Sequence, residues 1–168
     1  MRKLLRIRRS FLIKIINSFL CGTHFFKLKI FLLKHAGIEC GLNTKVVGPI
    51  YLGNVAQISF GNNVWIGTKF SVYGNGSVIV ENNVDIAPEV SIITGSHEIA
   101  FDEGHRAGKG ISYHVTIKEG CWVGARATIM GNIEIGKGSV VAASALVNKS
   151  VESNTLCGGV PAKTLREI

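Results

Sequence analysis

Five histidines and four cysteines are the side chains of this 168-residue sequence best suited to chemistry. The cysteines, Cys21, Cys40, Cys121 and Cys157, form no CxxC pair and have no metal-like spacing to histidine, so neither a disulfide framework nor a zinc site is expected. No phosphate-cradling glycine loop, GxGxxG turn or paired acidic cluster occurs. Proton transfer remains. His97 stands near the start of the most polar stretch of the body, Thr94 to His114, where an imidazole titrating near neutrality can take a proton from a hydroxyl. Such a base works better when a carboxylate or carbonyl holds its far nitrogen, and Glu98, Asp102 and Asp85 are the candidate carboxylates. Neighbours on a strand point to opposite faces, so Glu98 reaches His97 only through a turn. Arg106 offers a planar fork suited to a carboxylate or pyrophosphate. His114 closes the stretch, while His24, His35 and His105 sit in no pattern.

The elements that must hold these groups follow from spacing. Ile117, Val123, Ile129, Ile135, Val141 and Val147 recur every six residues, as do Cys40, Val46 and Leu52, then Phe60, Ile66 and Val72, then Val80, Ile86 and Ile92. Two residues earlier the side chain is again apolar, except at Thr44 and Ser139. Gly or Ala often follows directly, as at Gly41, Gly67, Ala87, Gly124 and Ala142. A chain with this pattern turns a corner every six residues, and three sides make a triangular coil whose inward residues stack on the next coil at about 4.8 Å. The spacing predicts an all-β parallel β-helix over residues 38–155, with corner insertions at Asn54 to Gln57 and Gly74 to Gly76. It also predicts an expelled loop at about 94–114 and a tail over 156–168.

Residues 1–37 are different. Arg2, Lys3, Arg6, Arg8, Arg9, Lys14, Lys27, Lys29 and Lys34 all precede the first acid, Glu39, so the net charge of +8 belongs to this arm and the body is near neutral. That excludes a basic nucleic-acid-binding domain. The uncharged run Ile15 to Phe26 is too short to span a bilayer, and no signal-peptide pattern is present, so an unexported, cytoplasmic protein is expected. Leu, Ile and Phe mixed with cations predict an amphipathic α-helical arm. It contacts an anionic membrane face through residues 1–34, caps the open edge of the prism, or does both, the apolar face serving one task and the charges the other, and the unbalanced cations favour the membrane.

The segment VWIGTKF, the run IAPEVSIITGSH (86–97), the run WVGARATIMGNIEIGKGSVVAASALV (122–147) and the ending GGVPAK (158–163) are similar to the left-handed β-helix, or hexapeptide-repeat, acyltransferases, notably sugar O-acetyltransferases of the maltose/galactoside and capsule/lipopolysaccharide type. The resemblance runs from about residue 38 to the C-terminus. It implies a left-handed coil, a homotrimer with active sites between subunits, acetyl-coenzyme A as donor, no metal, and a sugar or lipid-linked sugar as acceptor.

The resemblance also implies roles. TGSH puts His97 at the catalytic histidine, and Glu98 resembles the second member of the His-Glu pairs of some nucleotide-sugar acetyltransferases. Ala87, Gly124, Ala125, Ala142, Ala143 and Lys149 fall along the coenzyme A channel and Lys163 near its adenosine phosphates. Small residues are equally what prism corners need. Trp122 matches a tryptophan shaping the acceptor pocket. His114, within HVTIKEG, resembles the acceptor-contacting histidine of serine acetyltransferases, although Tyr113 replaces that family's arginine. Arg106 is the candidate clamp for an anionic acceptor. A serine-type acetyltransferase and a non-catalytic β-helix scaffold are the alternatives, and the absence of a regular Thr-x-Thr ridge argues against ice binding.

Overall fold

The computed structural model describes residues 2–101 and 104–168, Arg2 without its side chain. Helices α1 (Arg2–Phe19) and α2 (Phe26–His35) precede a three-sided solenoid. Strands Glu39–Cys40, Gln57–Phe60, Ser77–Val80, His114–Ile117 and Ile133–Ile135 stack in parallel as its first face. Lys45–Val46, Trp65–Ile66, Asp85–Ile86, Trp122–Val123, Val140–Val141 and Thr155–Gly159 form the second. The third consists of Tyr51–Leu52, Ser71–Tyr73, Ser91–Ile93, Thr128–Met130 and Leu146–Val147. The architecture is that of a left-handed β-helix.

All fifteen residues of the six-residue series are buried. They stack as the pattern requires: Cys40 beside Phe60 and Val80 beside Ile117 on the first face, Val46 beside Ile66 and Ile86 beside Val123 on the second, Leu52 beside Val72 on the third. The two polar exceptions are buried with partners. The Thr44 hydroxyl donates to the Gly61 carbonyl at 2.6 Å, and the Ser139 hydroxyl donates to the Glu152 carbonyl at 2.6 Å while accepting from the Thr155 amide. Corner glycine is forced by stacking, because a Cβ at Gly124 would lie 2.6 Å from the backbone nitrogen of Ala143 one coil on. At the corner between the first and second faces asparagines in the left-handed region form a ladder, Asn43 donating to Asn63 at 3.2 Å and Asn63 to Asn83 at 3.0 Å.

Between the third-face strand Ser91–Ile93 and the first-face strand His114–Ile117, the chain leaves the prism as an antiparallel hairpin of Gly95–Ile99 and Ala107–Ser112. Residues 156–168, read from sequence as a tail, contain the strand Ala162–Glu167, which turns back antiparallel on Thr155–Gly159 and edges the second face.

The arm caps the other end. Ile13 and Ile16 of α1, Leu20 just after it and Leu33 of α2 enter the core. Asn17 acts as a strand neighbour for the first coil, its amide donating to the Ile50 carbonyl at 2.7 Å and its side-chain oxygen accepting from the Ile50 amide at 2.9 Å. Arg9, 5% exposed, donates to four backbone carbonyls, those of Ala36, Gly37, Gly53 and Ala56. Lys29 is buried too and donates to Gly22 at 2.7 Å. Two of the arm's cations therefore face inward, which the sequence reading did not anticipate. The arm thus closes the prism edge, one of its two expected tasks.

Candidate active site

His97 lies on the outgoing strand of the hairpin, exposed, and its Nδ1 stands 2.8 Å from the carbonyl oxygen of Gly108 on the returning strand. A carbonyl oxygen only accepts, so Nδ1 donates, and in the neutral imidazole Nε2 is then the nitrogen that can accept. The orienting group is therefore a backbone carbonyl. Glu98, one of the three candidate carboxylates, makes no hydrogen bond or ion pair to His97, whose Nδ1 is already engaged by the Gly108 carbonyl. Asp102 lies outside the described residues. Asp85 is on the second face, outside the hairpin, and has no bond to His97. Arg106 folds back on the hairpin turn, Nη1 donating to the carbonyls of Ala100 and Phe101 at 3.1 and 3.2 Å.

The small residues come together as two adjoining columns along the corner after the second face. Each residue of the first column donates to the carbonyl of an inward residue of the strand one coil on: Ala87 to Val123, Gly124 to Val141, Ala142 to Cys157. Ala125 and Ala143 are their successors in sequence and form the second column with Pro88: the amide of Arg126 donates to the Pro88 carbonyl and that of Ser144 to the Ala125 carbonyl. Ala143 is exposed whereas Gly124 is buried, so packing alone accounts for the glycine but not for the outer alanine.

A depression of about 400 Å³ adjoins these columns, lined by Trp65, Asp85, Ala87, Pro88 and Trp122. Trp65, Asp85 and Trp122 occupy one outward row, Asp85 paired with Trp65 on one side and with Trp122 on the other. Sequence reasoning singled out Trp122 and missed its row. The signal was available, since each of the three precedes an inward residue of the six-residue series, Ile66, Ile86 and Val123. At the C-terminal coil a second depression, of about 380 Å³, is lined by Lys149 and Lys163 together.

His114 stands on a different face of the prism from Trp122. It lies on the first face, its Nδ1 2.7 Å from the Ser77 hydroxyl, and Ser77 lines a cavity of about 720 Å³ between α1 and that face. The buried thiols are poor nucleophiles: burial raises the pKa of Cys121 and Cys157, and pushes Cys40 up to about 12. Among the described residues no cluster of His, Cys, Asp and Glu could hold a metal ion.

Comparison with known proteins agrees with this fold. The profile of the family described as bacterial transferase hexapeptide (six repeats) matches residues 114–149. Galactoside O-acetyltransferase of Escherichia coli K12 is 29% identical over 137 residues, 82% of this chain and 67% of that protein. WcaF of the same organism, assigned by its name to acetyl transfer in colanic acid biosynthesis, is 27% identical over 149 residues, 84% of this chain and 76% of its own. The crystal structure of a hexapeptide-repeat acetyltransferase from Vibrio cholerae O1 biovar eltor, complexed with acetyl coenzyme A, superposes with a TM-score of 0.83 at 26% identity, covering 98% of this chain and 87% of that one. The repeat series, the three-faced coil and these likenesses establish that the chain belongs to the hexapeptide-repeat family of bacterial transferases.

Proposed function

We propose that this protein moves the acetyl group of acetyl-coenzyme A to a sugar hydroxyl in surface-polysaccharide biosynthesis, with His97 as general base and no acetylated enzyme on the way. The observation that carries the reading is the hydrogen bond from His97 to the Gly108 carbonyl, which fixes the tautomer in which Nε2 accepts a proton. The acetyl transfer named in its relatives supports it.

The chain's own residues suit the donor. Alanines and Gly124 leave an open corner for an uncharged, amide-rich arm, and Lys149 and Lys163 share a depression fit for phosphates. When bound there, acetyl-coenzyme A supplies the activated acyl carbon. Nε2 of His97 takes the proton of the attacking hydroxyl and returns it to the departing thiolate, which balances the exchange. Trp122 and Trp65 give the acceptor ring apolar walls. Arg106, anchored through Nη1, keeps Nη2 for an anionic substituent. In a cytoplasmic homotrimer, the hairpin of one subunit would stand against the corner of the next, completing the site between them.

The test is a panel of nucleotide-activated sugars, lipid-linked sugars and serine, each incubated with donor and examined for a mass gain of about 42, the acetyl increment that acyl transfer implies. Gain on sugars is expected. Preferential acetylation of serine would establish the serine-type alternative, and failure to bind acetyl-coenzyme A would leave a scaffold.

A further inference from the structure

Capping the prism uses one side of α1 and leaves another apolar stripe unexplained. The buried positions Arg9, Ile13 and Ile16 follow one helical face, which Leu20 continues just past the helix end. Leu4, Ile7 and Phe11, spaced three and four apart, lie on the opposite one and are 73%, 59% and 62% exposed. Phe19 and Phe25, at the turn into α2, and Leu28 and Phe31 on α2 are exposed as well. Lys3 and Lys14 flank the outward stripe on one side and Arg8 on the other, all exposed, and Lys27 and Lys34 lie exposed on α2. No acid precedes Glu39. No helix of the described residues is long and apolar enough to cross a membrane.

We infer that the outward face of α1 is a docking surface for an anionic lipid bilayer, on which the helix lies parallel to the interface. Three observations select this occupant over a second copy of the chain. The stripe is flanked by positive charge on both sides, so pairing α1 with α1 would oppose like charges. The apolar residues alternate with the cations along one helix, the pattern that inserts side chains at the acyl boundary while bases meet headgroups. The cap fixes the helix rigidly with its inward side satisfied, so binding costs little ordering of the arm. The inference does not rest on the acetyl-transfer reading, and its test needs no turnover.

The full-length protein is sedimented with vesicles of phosphatidylglycerol and phosphatidylcholine, and with pure phosphatidylcholine, at low and physiological ionic strength. Binding to the anionic vesicles is expected, weakening with salt because exposed charge is screened over about 8 Å at physiological ionic strength. The double variant Ile7→Ser/Phe11→Ser should reduce partitioning about a hundredfold, and Arg8→Gln/Lys14→Gln about tenfold. These side chains are exposed, and unchanged thermal melting confirms that each variant folds. No binding at low salt, equal binding to neutral vesicles, or a smaller oligomeric mass of Ile7→Ser/Phe11→Ser by ultracentrifugation would overturn the inference, the last by making the stripe a subunit contact.

Discussion

His97 and Gly108 face each other across the expelled hairpin, the imidazole Nδ1 donating to the carbonyl oxygen at 2.8 Å. The imidazole proposed as base is thus oriented by backbone, its tautomer set by the Gly108 carbonyl. His97→Ala is expected to lower kcat by about 10² to 10⁴ with little change in acetyl-coenzyme A affinity. Glu98→Gln should stay within about threefold of the parent. Steady-state kinetics and donor titration measure both, and a large loss in the glutamine variant would return the orienting role to Glu98.

The two columns of small residues should respond differently to enlargement. Gly124→Ala places a Cβ against the backbone of the next coil and should destabilise the fold by about 1–3 kcal/mol, read from thermal or denaturant unfolding. Ala143→Phe projects from an exposed position and should leave stability unchanged while raising the Kd for acetyl-coenzyme A at least about tenfold. Equal donor affinity in the phenylalanine variant would move the donor off this corner.

Cys21 is exposed and Cys40, Cys121 and Cys157 are buried free thiols, the last three with pKa values raised by burial. One thiol per chain should react with a disulfide reagent in the native protein and four after denaturation. Mixing with acetyl donor alone should leave no acetylated cysteine, as intact-mass spectrometry would show.

Along the prism edges Glu89 accepts from Lys69 and Arg126, each at 2.9 Å, and Glu119 from Lys137 at 2.9 Å. These hydrogen bonds hold both carboxyls below the usual 4.5. A carboxyl whose folded pKa is depressed favours the folded state above its unfolded value, and that contribution disappears as pH falls through the folded value. Lys137 and Lys118, raised above 10.5 by their carboxylate partners, contribute fully below that value and lose the contribution as pH climbs past the folded one. Thermal melting should therefore be level across neutral pH and fall below about 4.5, with Glu89→Gln showing a shallower acid slope. Because all these groups are exposed, the effect is small and shrinks with salt.

Arg9→Met keeps length and apolar contact but leaves four carbonyls without their donor, those of Ala36, Gly37, Gly53 and Ala56. A loss of about 3 kcal/mol in unfolding free energy is expected. Denaturant melts of the two proteins test it, and an equal midpoint would mean that water reaches those carbonyls once the guanidinium is gone.

How much of this could be read beforehand depends on what carries the information. The inward column was fully visible, because a solenoid repeats its burial requirement in side-chain letters at fixed phase, and Ile86 or Val123 announces its place without reference to any other element. The row of Trp65, Asp85 and Trp122 obeys the same phase but is scattered over three coils, so it needs the stacking register before its members become neighbours. The partners of His97 and Arg9 were invisible, since both are backbone carbonyls, and every residue has one. Only the fold decides which carbonyls converge. The same limit misled the reading of the arm's charges, two of which serve the interior.

The four carbonyls that receive Arg9 all lie between residues 36 and 56, so α1, α2 and the first coil close upon one another without help from the rest of the chain. Every later parallel strand of the prism pairs with a rung some 16 to 37 positions away, as Val141 with Cys157 and Val80 with Ile117. Assembly can therefore advance in the order of synthesis, each new coil templated on a finished rim, as nearest-neighbour repeat folding permits. Pulse-labelled hydrogen exchange would then find Ile50 and Ile58 protected before Val141. A ribosome-bound fragment ending soon after the first coil would already hold its guanidinium in place.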